Sequence, residues 1–309
     1  MTDERHGLDA IEAALLDMPS AAFKARLRKR LEQGIAGLNV EGSEMTSSVL
    51  EARGARPGFA AVTAYAQVQD IERLIAFAKD VFGAEELMRG RGSAGGIHCE
   101  LRIGDSIVMC GGGVPATGGR PFVPRPAALH VYVDDADAVY QRAMDAGATS
   151  LGAPQDLHYG ERAGFVKDPT GNEWYIATHI GPSYSELRTV TPSLRGPNAS
   201  QFIAFLETAL VAEVEMRADD PQGVVRHAVL RINGAAVELG EAHDQWSSLR
   251  AGMYLYVPDV DAIYNRAVAA GAKPLYPPSN MPYGDRMGGI EDPWGNEWYI
   301  ATHLPETQR

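Results

Sequence analysis

The sequence predicts an α+β fold made of four βαβββ modules, two in each of two tandem copies, behind an N-terminal helical segment. Three observations carry this. Residues 159–179 read YGERAGFVKDPTGNEWYIATH, and residues 283–303 read YGDRMGGIEDPWGNEWYIATH. The same spacing returns between VDDADAVYQRAMDAGAT, which begins at Val133, and VPDVDAIYNRAVAAGAK, which begins at Val257. Within each copy, short extended runs alternate with one helix-patterned run, twice over. A period this long marks duplicated domains and not a solenoid. Mixed elements of this kind place helices on one side of mainly antiparallel strands.

The elements follow in order. Residues 1–57 lie outside the repeat. SAAFKARLRKRLEQG reads as a helix with Ser20 at its N-cap and Gly34 beyond its end. Phe23, Leu27 and Leu31 form its apolar stripe, and a basic face surrounds it. Residues 35–57 read as linker. The first module opens with the strand AAVTAYAQV. The helix DIERLIAFAKDVFG follows, with Leu74, Ile75, Phe77, Ala78 and Val81 on one face and Gly83 at the stop. Strands AEELMRG, IHCELRI and SIVMCGG complete it. The second module has the strand ALHVYVD, the helix ADAVYQRAMDAG with Ala138, Tyr140, Ala143 and Met144 near one face, and three extended pieces ending in NEWYIATH. The second copy begins near residue 183 and repeats the plan. Its first module is the weakest match, although His98 and His227 head corresponding strands.

Composition excludes several classes. The formal charge of −12 over 309 residues argues against general nucleic-acid binding. No apolar run reaches membrane length, and the first residues lack a signal-peptide core. Two cysteines, Cys99 and Cys110, provide neither a disulfide framework nor a cysteine zinc site, which suits the cytoplasm. No phosphate-cradling glycine loop and no G-x-S-x-G elbow is present. A small-molecule ligand is the expected partner.

Strand alternation names the candidate site. Asn233–Gly234 is a two-residue hairpin turn, so Ile232 pairs with Ala235, Leu230 with Val237 and Val229 with Glu238. One face of this pair is wholly apolar and must meet the helices. The other carries His227, Val229, Arg231 and Glu238. In the first copy the corresponding face carries His98, Glu100, Arg102 and Met109. By the same alternation Ala128, His130 and Tyr132 share a face, as do Glu173, Tyr175, Ala177 and His179. Each copy therefore aims histidines, phenols and one central carboxylate away from its helices. The ligand-lining candidates are His98, Met109, His130, Tyr132, His227, Tyr254, Tyr159 and Tyr283, with the two last opening YGER and YGDR. Those two motifs suggest an aromatic ring and an ion pair at a strand entrance. Asp168-Pro169-Thr170-Gly171 and Asp292-Pro293-Trp294-Gly295 read as turns, and Trp174 and Trp298 as core anchors.

ELRIGDSIVM, HVYVDDADAVY, the YGER/YGDR pair and DPTGNEWYIATH together resemble the vicinal oxygen chelate superfamily. That group takes in glyoxalase I, bleomycin-resistance proteins and extradiol dioxygenases, and its PhnB-like branch looks nearest. The resemblance implies two glyoxalase-like domains, at 58–182 and 183–309, with incompletely closed sheets curled around small-molecule pockets. It also implies four strand positions for metal ligands in each domain. Here these positions hold Thr63, Met109, Ala128 and Tyr175 in one copy and Thr191, Glu238, Gly252 and Tyr299 in the other. Only Glu238 is an ordinary ligand, and a metal needs three or more donors. The expectation is a binding protein with no metal site and no cofactor. If the chain is an enzyme, Glu100 and Glu238 are its acid/base groups and Tyr175 and Tyr299 its donors. The alternative is a metal-dependent lyase, isomerase or dioxygenase using a displaced site at His98, Glu100 and His130. Because two copies are fused, a monomer or weak homodimer is expected.

Overall fold

The computed structural model describes residues 52–92, 95–113, 122–181, 187–244 and 246–305. The helix expected at residues 20–34 lies outside them. Four modules are present among the described residues. The first runs β1 (Val62–Val68), α1 (Ile71–Phe82), β2 (Glu85–Arg91), β3 (Ile97–Ile103) and β4 (Ser106–Gly112). The second runs β5 (Ala128–Tyr132), α2 (Ala136–Asp145), β6 (Thr149–Leu157), β7 (Glu161–Lys167) and β8 (Glu173–His179). The third runs β9 (Val190–Gly196), α3 (Ala199–Leu210), β10 (Glu213–Asp219), β11 (Val225–Ile232) and β12 (Ala235–Glu241). The fourth runs β13 (Gly252–Tyr256), α4 (Val260–Ala269), β14 (Lys273–Asn280), β15 (Asp285–Glu291) and β16 (Glu297–His303).

Local chemistry sets the helix ends. The Asp70 carboxylate accepts the Arg73 amide at 3.1 Å, and Gly83, at φ 66°, ends α1 in the left-handed conformation. Asp135 and Asp259 cap α2 and α4 in the same way. Asn198 gives α3 no side-chain cap. The Glu241 carboxylate serves instead, accepting the Asn198 and Ala199 amides at 2.7 Å each. The expected face of α1 is buried throughout. The face of α2 is shifted by one residue: Ala136, Val139 and Ala143 are buried, and Ala138 is exposed. Val139 offers more apolar area than Ala138, so burying it wins.

The hairpin register is as expected, with Val229 opposite Glu238 and Glu100 opposite Met109. Asn233 and Gly234 both have positive φ, 47° and 86°, which is the twist a two-residue hairpin needs.

The modules are joined in two different ways. Two open eight-stranded sheets form, and each draws on both copies. The first has the order β14-β15-β16-β13-β1-β4-β3-β2, so the first module joins the fourth. The second has the order β10-β11-β12-β9-β5-β8-β7-β6, so the second joins the third. The seams are antiparallel: Thr63 pairs with Tyr254, and His130 with Thr191. Beneath the sheets the apolar cores follow the copies. The side chains of α1 and α2 share one core, and those of α3 and α4 share another. Backbone pairing therefore crosses between the copies, and helix burial stays within them.

Candidate functional site

This cross-pairing regroups the predicted residues into two clefts of different character. The first, on the β1–β13 sheet, receives Glu100, His98 and Met109 from the first module and Tyr254 and Tyr299 from the fourth. The second, on the β5–β9 sheet, receives His130, Tyr132 and Tyr175 from the second module and His227 and Glu238 from the third.

The first cleft is largely filled. Phe59, Met109, Tyr254, Tyr256 and Met287 are buried against one another in it. Glu100 is 3% exposed and forms an ion pair with Arg56, which comes from the segment preceding β1. His98 Nε2 lies 3.4 Å from the same carboxylate, and its Nδ1 lies 3.1 Å from the Tyr65 hydroxyl. Burial alone would raise the Glu100 carboxyl. His98 and Arg56 outweigh it and hold the group below its ordinary value. Tyr254 and Tyr256 donate to Asp285 Oδ2 at 2.7 and 3.0 Å, and His303 Nδ1 lies 2.6 Å from Oδ1. Tyr299 accepts from Gln67 at 2.5 Å and donates to Glu297 at 2.8 Å. Tyr283 stands exposed at the rim.

The second cleft is built around a charged centre. Tyr132, Tyr175, Phe165 and Trp246 are only half-buried. Phe165 lies edge-on to both Tyr175 and Trp246, with centroids 4.5 and 4.9 Å away, and the Arg195 guanidinium sits over Trp246 at 5.2 Å. At the centre, His130 Nδ1 is 2.9 Å from Glu238 Oε1, and His227 Nε2 is 3.3 Å from the same oxygen. Burial works against the Glu238 charge, but His130 and His227 hold the carboxyl well below its usual range. An ionised Glu238 only accepts, so Nδ1 of His130 carries the proton. Glu161 accepts from Tyr132 at 2.6 Å and from Tyr175 at 2.9 Å. Tyr159, at the rim, shares a 2.6 Å hydrogen bond with the Tyr175 hydroxyl. Burial, then the neighbouring Tyr159 and Glu161, raises the Tyr175 phenol far above its ordinary value. It is a donor here and not a base.

Two expectations are corrected by this geometry. The acids of YGER and YGDR do not pair with the arginines beside them. Arg162 reaches Asp137 and Asp156, and Arg286 reaches Asp261. Glu161 and Asp285 turn inward to receive phenols, because β7 and β15 alternate and adjacent residues face opposite ways. The displaced metal set of His98, Glu100 and His130 is also divided, since β3 and β5 lie in different sheets.

The four positions at which the resemblance places metal ligands regroup as well. Thr63, Met109, Gly252 and Tyr299 meet in the first sheet, and Thr191, Glu238, Ala128 and Tyr175 in the second. Neither set makes a ligand shell. One carboxylate is present in eight positions, and its inner oxygen is taken up by two imidazoles. Among the described residues, no group of three or more His, Cys, Asp or Glu is arranged to hold a metal ion.

Sequence reasoning overlooked the buried arginine–glutamate pairs. Arg195 on β9 pairs with Glu173 on β8, and Arg125 pairs with Glu297 on β16 at 2.8 Å. Alternation from Thr191 could have found Arg195. Arg125 lies in a loop, and no periodicity marks it.

The profile of the Glyoxalase/Bleomycin resistance protein/Dioxygenase superfamily matches residues 59–176 and 188–300. The chain belongs to that superfamily. An uncharacterized Mycobacterium bovis protein is 39% identical over 127 residues, covering 39% of this chain and 84% of its own length. CFP32 of the same organism, whose name assigns it provisionally to the glyoxylases, is 23% identical over 228 residues, covering 69% of this chain and 82% of its own. Glyoxalase I from Zea mays superposes with a TM-score of 0.59 at 18% identity, over 78% of this chain and 91% of the maize chain. At that identity the likeness is one of fold. The chain keeps the tandem βαβββ architecture and departs from the expected ligand pattern at seven of eight positions.

Proposed function

We propose that the chain is a small-molecule-binding protein of the glyoxalase superfamily that works without a metal at the family positions. It takes its ligand in the second cleft. The observation that carries this reading is the state of Tyr175 and Glu238. Tyr175 stands at a metal-ligand position with its hydroxyl engaged by Glu161 and Tyr159, and Glu238 is engaged by His130 and His227. Hydrogen bonding replaces coordination. The half-buried rings of Phe165, Tyr175 and Trp246, packed edge to face, offer an aromatic lining with polar groups at its base, which is the usual make-up of a ligand pocket. The first cleft, filled by Phe59 and its neighbours, serves stability more than uptake.

Sequestration of a small aromatic or enolic compound in the cytoplasm fits this site. The sheets complete themselves between the copies of one chain, which supports action as a monomer. No helix among the described residues is long and apolar enough to cross a membrane. The test is metal analysis and ligand-retention mass spectrometry on full-length protein, purified with and without chelator. The expected result is a co-purifying organic ligand and no stoichiometric metal, with retention unchanged by chelator. Stoichiometric iron, nickel, manganese or zinc, lost together with the ligand, would overturn the reading in favour of a metal-dependent lyase, isomerase or dioxygenase.

A further inference from the structure

His130 is 5% exposed, and its Nε2 has no hydrogen-bond partner among the described residues. A buried imidazole nitrogen without a protein partner is costly, and it is satisfied by a water, an ion or a ligand, or serves chemistry. The rest of the ring is held firmly. Glu238 fixes Nδ1 at 2.9 Å, and the rings of Tyr132 and Tyr175 flank the imidazole at 4.3 and 4.2 Å. In the neutral ring with its proton on Nδ1, Nε2 presents a lone pair. Glu161 Oε2 lies 3.7 Å from it, too far for a hydrogen bond and close enough to attract a positive ring. Arg195 Nε, on the same face of the neighbouring strand β9, is a second buried donor without a partner among the described residues. Among the described residues, the first cleft has an unpartnered Thr63 hydroxyl but no such imidazole. Tyr254 occupies the equivalent position there, and its hydroxyl is already engaged by Asp285.

We infer that His130 Nε2 accepts the proton of an acidic hydroxyl, phenol or enol, on a small ligand held among the rings of Phe165, Tyr175 and Trp246. This rests on the reading of the second cleft as a small-molecule site. In the step, the ligand O–H bond breaks and its electron pair stays on oxygen. An N–H bond forms at Nε2. The resulting imidazolium lies between the carboxylates of Glu238 and Glu161, with the bound anion facing it and His227 beyond Glu238 at the rim. A neutral ether cannot make this exchange, so the site discriminates by acidity as well as by shape.

The experiment titrates full-length protein with 4-nitrophenol, whose absorbance reports ionisation, and with 4-nitroanisole, which has no proton to give. Below the free phenol's own pKa, bound 4-nitrophenol is expected to show the phenolate band. The anisole should bind about tenfold weaker or worse, as befits loss of a charge-assisted hydrogen bond. His130→Gln should abolish both the phenolate band and the preference. Tyr254→Phe, in the first cleft, should alter neither. If His130→Gln does not fold, imidazole nitrogen NMR of the native chain decides, since Nε2 must gain a proton on binding. Neutral bound phenol, an unchanged band in His130→Gln, or no phenol binding each overturns the inference. Equal binding of phenol and anisole would sink it while leaving the second cleft as a binding site, and a chelator-sensitive titration would instead count against the metal-free reading.

Discussion

His130 of the first copy and Glu238 of the second meet at 2.9 Å, Nδ1 to Oε1, although 108 positions separate them. Neither copy holds this pair on its own. It forms because β5 pairs with β9 at the seam of the second sheet, with β12 beside β9. The central polar group of the candidate site is thus a product of the duplication.

Separation of the copies is the first test of this arrangement. Residues 58–182 alone retain one helix-side core but leave β1 and β5 as open sheet edges. Such edges seek another strand. The isolated copy is expected to run as a dimer or larger species in size-exclusion chromatography with light scattering. A folded, stable monomer would contradict the role given to the seams.

Acid sensitivity follows from Glu238. Its folded pKa lies below the ordinary 4.5, so its contribution to stability is present in full above that value and is lost as pH falls toward the folded pKa. His227, whose side chain is 46% exposed, is shifted the other way: partial desolvation lowers it, and Glu238 more than restores it, to above 6.5. Its contribution is present below 6.5 and fades as pH rises through the folded value. Glu238→Gln should cost about 1–3 kcal/mol at neutral pH and flatten the loss of stability below pH 4.5. Urea unfolding across pH 3–8 measures both effects, at approximately half-unit steps.

Arg125 ties the loop before β5 to the first sheet. It donates to the Gly295 carbonyl at 2.7 Å and to Glu297 at 2.8 Å, and its side chain is buried. Arg125→Ala should cost on the order of 3 kcal/mol, the low end for a broken buried pair because Tyr299 still donates to Glu297. Adding Glu297→Gln should recover part of the loss. Additive costs in the double mutant would show that the pair is not coupled.

The turn acids act as acceptors for whole corners. Asp292 receives the Trp298 indole at 3.0 Å, the Asn296 amide side chain at 2.8 Å, and the Asn296 and Trp294 backbone amides at 2.9 Å each. Asp292→Ala should cost about 2–4 kcal/mol by orphaning buried donors, and Asp292→Asn less, since one acceptor oxygen remains. The midpoint of urea unfolding separates the two. Equal losses would show that hydrogen bonding is not what Asp292 supplies.

The sequence by itself determined the module plan. The repeat, the helix caps at Asp70 and Gly83, the Asn233–Gly234 register and the alternation that sends Leu230 inward and Glu238 outward are all local facts. Local facts of backbone geometry survive into any fold that uses them. Tertiary structure alone decided which module joins which. A strand edge carries no label in its residues, and β1 could pair with β5 or with β13 on similar patterns. That choice divided His98 from His130 and brought Glu238 to His130. The segment before β1 adds Arg56 and Phe59 to the first cleft. Side-chain encounters across a seam depend on three-dimensional register, which no single strand encodes.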